Sequence, residues 1–119
     1  MNILAQIHSH YNYLDSCLCQ GLDLLGHNVY ALFPGTNYVA NAYAREPLDL
    51  FIQFIAGGGA MPGVRSVMVW GEDSHEGLAD VFNRGFDEVF VRDHVGGPGV
   101  PISFGIETRY LCVTEKGLK

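Results

Sequence analysis

Apolar residues along this chain come in short runs, each stopping at a polar or glycine-rich break. "NILAQI" ends at His8, "NVYALF" at the turn "PGTN", and "LFIQFIA" at three consecutive glycines. "VRSVMVWG" ends at Glu72 and Asp73, "DEVFVRD" at His94, and "VPISFGI" closes the series. Runs of this length, rich in Val, Ile and Phe without polar alternation, are the pattern of strands buried on both faces. Between the first two, Leu14, Leu18, Leu22 and Leu25 recur at helical spacing. Asp15 or Ser16 can cap that helix and Gly26 can stop it. "SHEGLADVFNRGF" predicts a second helix capped by Ser74, whereas "YVANAYAREPLD" reads as loop with at most a short helix or strand. Strands alternating with helices and Gly-rich connections predict an α/β, three-layer, Rossmann-like domain over 1–119 with a mainly parallel sheet of five to six strands. The expected strand order is 3-2-1-4-5 or a close variant.

Composition narrows what such a domain can do. The 119 residues suffice for one core and not for two. At 48% hydrophobic and 17% charged, the chain has a globular composition rather than a disordered one. A net charge of −6, with 7 scattered Lys and Arg, argues against a nucleic-acid surface or an anionic membrane patch. No apolar run reaches the roughly 18 residues of a spanning helix, and "NILAQI" lacks the basic flank of a signal peptide. Cys17, Cys19 and Cys112 are an odd number, the first two too close for an ordinary bridge and without redox Cys-x-x-Cys spacing. A reduced, cytoplasmic protein is the expectation.

In open α/β sheets, ligands bind beyond the carboxyl ends of the strands. Those ends carry His8, Ser9, His10 and Tyr11 after the first strand, and Gly57, Gly58 and Gly59 after the third. Glu72, Asp73, Ser74 and His75 follow the fourth, and Asp93 and His94 the fifth. The ligand-binding candidates are therefore His8, His10, Tyr11, Gly57, Gly58, Gly59, Asp73, Ser74, His75 and His94. His27 follows the helix stop, where a cap or surface role suits it.

Three chemistries fit these residues. His8 and His10 with Asp73 or His75, or with Asp93, could supply nitrogen and oxygen ligands to zinc or a similar ion. Polar residues also collect wherever strands leave a core, and no Cys pair or His-Glu-x-x-His spacing supports a metal, so none is expected. His75 beside Asp73 and Glu76, or His94 beside Asp93, could form a carboxylate-oriented imidazole near neutral pH. Ser9 lacks the Gly-x-Ser-x-Gly elbow of a hydrolase nucleophile. "AGGGAMPG" and "VGGPGVP" could bring amides to a phosphate or sugar, but neither matches a dinucleotide or P-loop fingerprint, and tight turns explain them as well. No cofactor is implied, and no catalytic residue is assigned.

Several segments together resemble a known family. "LLGHNVYAL" is similar to a Leu-x-x-x-Gly-His-x-Val second strand, and "EPLDLFIQF" to a Pro-x-Asp segment. "SVMVWGEDSHEG" is similar to a fourth strand ending in Asp and His, and "FDEVFVRD" to an Asp-x-Val-Phe strand. "VPISFGIETRYLCVTEKG" is similar to a Pro-x-x-x-Gly-Val-Asp-Thr segment leading into a second domain. The chain thus resembles the N-terminal domain of GT-B-fold glycosyltransferases, particularly spore-coat-type and family-4-like members. The resemblance implies that the loops of His8 to Tyr11, Gly57 to Gly59 and Asp73 to His75 face an acceptor and an interdomain cleft. It also implies that the nucleotide-sugar site lies mainly in a C-terminal domain, and this sequence ends where the interdomain linker would begin.

The function expected from these readings is a glycosyltransferase-like N-terminal domain, stand-alone or fragment. It would bind an acceptor-like small molecule (a sugar or nucleotide sugar) or a partner rather than complete catalysis. One alternative is a small autonomous enzyme or metal protein using the His/Asp edge. Another is a homodimeric, non-catalytic assembly module, since a lost partner domain leaves apolar surface to cover.

Overall fold

Strand β1 (Asn2–Gln6) lies second from one edge of a sheet in which every pairing is parallel. The computed structural model describes residues 1–9, 12–32, 47–72, 76–92 and 99–102. Within these lie β2 (Asn28–Leu32), β3 (Leu50–Gln53), β4 (Ser66–Trp70), β5 (Glu88–Arg92) and β6 (Val100–Ile102). The six strands form one sheet in the order β2-β1-β3-β4-β5-β6, the expected three-layer α/β design with a fully parallel sheet.

The order differs from 3-2-1-4-5 in the place of β3, which sits between β1 and β4 instead of at the edge. Burial explains the difference. Phe51, Ile52, Gln53 and Phe54 are all buried, as a strand with two neighbours and two covered faces requires. β2, whose residues 29 and 30 are only half-buried, takes the edge.

Helix α1 (Tyr13–Leu24) follows β1. Its N-cap is Asn12, whose Oδ1 accepts from the Asp15 amide at 3.2 Å, so neither Asp15 nor Ser16 is the cap. The far end closes as anticipated at Gly26. With φ at +92°, that residue lets its own amide reach the Asp23 carbonyl and the His27 amide reach Leu22. This double bond pattern satisfies carbonyls that the helix end would otherwise orphan. Leu14 is buried, and Leu18, Cys19 and Leu22 lie against Ile3, Ala5, Ile52, Phe54, Val67 and Val69. Leu25, the fourth leucine of the stripe, is the helix cap and is exposed.

The opposite face of the sheet holds Leu4 and Phe51, covered by Leu48, Met61 and Val64, and Met68, Trp70, Val89 and Val91. Helix α2 (Leu78–Val81) covers the latter with Leu78 and Val81. It is a single turn, not the helix expected over 74–86. Gly77 precedes it at φ +83°, and the amides of Asn83 and Arg84 bond back three residues to Asp80 and Val81. That tightened pattern ends the helix rather than extending it. Each fully buried aliphatic side chain on these faces contributes roughly 1.5–3 kcal/mol relative to exposure. None of the described helices is long and apolar enough to cross a membrane.

Candidate functional site

The topology puts a switch point between β1 and β3, where the chain's direction of travel across the sheet reverses. Gln6 and Gln53, the last residues of these strands, are register partners. Gln53 is 1% exposed, and a buried amide must find partners. Its Nε2 donates to Gln6 Oε1 and, at 3.1 Å, to the Gly59 carbonyl, while its Oε1 accepts from the Ile55 amide at 3.0 Å. The glycine turn is built around this amide. A Cβ on Gly58 would fall on the Gln53 side chain, whereas Cβ atoms on Gly57 or Gly59 would meet nothing within 4 Å.

Arg84 holds the same turn from outside. Its Nη1 donates to the carbonyls of Ala56 and Gly58, and its Nε and Nη2 bind Asp80 Oδ2 at 3.1 and 2.9 Å. The Gly58 amide bonds to Ile55. With its amide and carbonyl both engaged within the protein, Gly58 shapes the turn by close approach.

At the end of β1, the chain leaves the sheet into a second polar cluster. The His8 amide donates to Asp15 Oδ2 at 3.1 Å, and His8 Nδ1 lies 2.8 Å from the same oxygen. A carboxylate can only accept, so Nδ1 is the hydrogen-bearing nitrogen of this pair. Asp15 is 4% exposed, and its position in the first turn of α1 places its charge where the helix dipole favours an anion. The result is an imidazole oriented by a buried carboxylate, an arrangement suited to acid/base chemistry, while the pairs expected from the sequence, His75 with Asp73 and His94 with Asp93, lie outside the described residues. Further along α1, burial and then the Asp15 carboxylate push the Cys19 thiol up to about 11, so it is a packing residue rather than a nucleophile.

Beyond β4 a cavity of about 520 Å³ opens between Ala56, Trp70, Glu72, Glu76 and Gly77. It sits at the carboxyl ends of β3 and β4, within the volume range of small-molecule sites. Two carboxylates and an indole line it, giving acceptors for hydroxyl or cationic groups and an apolar wall.

Of the sequence candidates, the structure places His8 beside Asp15 and Gly57, Gly58 and Gly59 around Gln53 and Arg84. No described contact joins His8 to the glycines. His10, Tyr11, Asp73, Ser74, His75 and His94 lie outside the described residues, so their grouping with His8 does not enter the site. Among the described residues, no three His, Cys, Asp or Glu side chains come together as a metal-holding group. His27 Nδ1 lies 3.1 Å from the Met1 amino group, away from the strand carboxyl ends. Gln6, Gln53 and Arg84 had no place in the sequence reading. Gln53 carried a signal all the same, as the single polar residue inside "LFIQFIA".

No protein-family model, curated protein or solved structure matches this chain.

Proposed function

We propose that this protein is a glycosyltransferase-like N-terminal domain that binds an acceptor-like, neutral polyhydroxyl molecule at the carboxyl edge of its sheet and does not complete catalysis alone. The observation that carries the reading is the cavity of about 520 Å³ at Ala56, Trp70, Glu72, Glu76 and Gly77. Its place at the strand carboxyl ends is where this topology binds ligands. Its carboxylates accept from sugar hydroxyls and repel the pyrophosphate of a nucleotide sugar, so a neutral saccharide is the better fit.

A thermal-shift screen of neutral saccharides, nucleotide sugars and divalent metals tests this, because a ligand of the native state raises the melting temperature by mass action. Saccharides should raise it in a concentration-dependent way, with the effect lost in Glu72→Ala. No shift with any saccharide, or an equal shift in the variant, would remove the proposal.

A second reading rests on the His8–Asp15 pair, an oriented imidazole that could act as general base in a small autonomous enzyme. Under it, the protein hydrolyses activated nitrophenyl esters or glycosides, and His8→Gln abolishes turnover. A wild-type protein without turnover leaves only the binding reading. The same proposal includes a cytoplasmic homodimer without a nucleic-acid partner, supported by the scattered cations and by Leu24 and Leu25, which are 64% and 76% exposed.

A further inference from the structure

A second cavity lies on the side of the sheet covered by α2, between the β3–β4 and β4–β5 connections. It has a volume of about 600 Å³ and is lined by Met61, Pro62, Val64, Arg65, Arg84 and Asp87, with glycines 63 and 85 and Ala60 between them. We propose that this cavity binds a small organic oxyanion, a phosphate or carboxylate carried on an apolar body.

Four observations lead there. First, Arg65 is exposed and makes no ion pair or side-chain hydrogen bond among the described residues. In a chain with 13 acidic residues against 7 Lys and Arg, that leaves a fork of donors in the cavity lining with no ion-pair partner among the described residues.

Second, Arg84 adds a charge that is already held in place. Its Nη1 bonds to the Ala56 and Gly58 carbonyls, and its Nε and Nη2 to Asp80. With most of its N–H groups engaged, it contributes field and shape more than new bonds, and Arg65 provides the bidentate contact.

Third, the Asp87 carboxylate in the same lining is tied to the backbone rather than to Arg65. Asp87 Oδ2 accepts from the Ser66 amide at 2.8 Å, which commits one carboxylate oxygen to the backbone.

Fourth, the wall is fixed before any ligand arrives. Ser66 is 1% exposed, and its Oγ accepts from the Met61 amide at 3.0 Å and donates to the Val64 carbonyl at 2.9 Å. Met61, Pro62 and Val64 thereby form a set apolar surface for the ligand's body. Fixed walls reduce the ordering cost of binding. A volume of about 600 Å³ also exceeds what an inorganic anion fills, which is why the ligand carries an organic part.

The test is calorimetric titration of the full chain with inorganic phosphate, phenyl phosphate and benzoate at constant ionic strength in chloride. Saturable one-to-one binding is expected, with phenyl phosphate or benzoate tighter than inorganic phosphate. Comparing phenyl phosphate with benzoate separates the phosphate source from the carboxylate source. Arg65→Gln should weaken the better probe at least tenfold with an unchanged melting curve, and Arg65→Lys should weaken it less, because the point charge remains while the fork is lost. Glu72→Gln should leave it unchanged, which keeps this site distinct from the carboxyl-edge cavity whether or not that cavity binds saccharides. Heats that never saturate for all three probes, or equal affinity in Arg65→Gln, would overturn the proposal.

Discussion

Gly58 is the residue whose identity the carboxyl-edge turn depends on most, because the buried Gln53 amide occupies the space where its Cβ would stand. Gly58→Ala should destabilise the fold by about 1–3 kcal/mol, as overpacking of a filled site does. Gly57→Ala and Gly59→Ala, facing open space, should stay within about 0.5 kcal/mol of wild type. Urea unfolding of the three variants checks this, and equal losses would mean that the amide does not hold the turn. Cys19 offers a pH test at the same scale. Burial raises its pKa from the ordinary 9.0 to about 11, so the unfolded chain ionises first as pH rises. The contribution is fully present below about pH 9 and is lost as pH climbs towards about 11. Wild type should therefore lose more stability than Cys19→Ala between pH 8.5 and 10.5, measured by urea midpoints. Parallel curves would place the thiol in water.

Helix α1 is held by its two ends as well as by its apolar stripe. Asn12→Ala removes the cap on the Asp15 amide and should cost about 1 kcal/mol. Gly26→Ala forces a side chain into φ +92° without any steric neighbour, so it should cost about 1 kcal/mol through the backbone alone. Thermal unfolding of each variant and of the pair should show additive losses, the two ends being far apart. This is also the scale at which the sequence was most legible. The stripe Leu14, Leu18, Leu22 announced the helix, and predominantly apolar runs announced β3 and β4. The N-cap lay earlier than expected because Asp15 was needed at His8, a contact between residues that no periodicity encodes. The second helix shrank to one turn because Gly77 and Gly85 both take positive φ, which a sequence pattern of Leu78, Val81 and Phe82 does not reveal. The strand order needed burial on both faces of β3, whose apolar run alone fits either position. The site was legible only as an edge. Asp15 meets His8 from the first turn of the next helix, and Gln53 meets Gly58 from the strand just before it. Arg84 arrives from beyond β4, and no hydrophobic periodicity encodes any of the three contacts.

At the scale of the whole molecule, an all-parallel sheet at net charge −6 presents acidic groups at its carboxyl edge and a two-arginine cavity on the face covered by α2. Leu24 and Leu25 at the end of α1 are exposed, and the proposed homodimer would bury them. Light scattering at micromolar concentration should report a dimer that Leu25→Lys weakens, and a monomer at all concentrations would refute the homodimer. The proposed saccharide binding at the carboxyl edge is decided by an amide-resolved NMR titration of the ¹⁵N-labelled chain with neutral mono- and disaccharides. Saturable shifts centred on Ala56, the Trp70 indole, Glu72, Glu76 and Gly77 are the result predicted. Spectra unchanged at millimolar saccharide, or shifts confined to the amino ends of the strands, would contradict it.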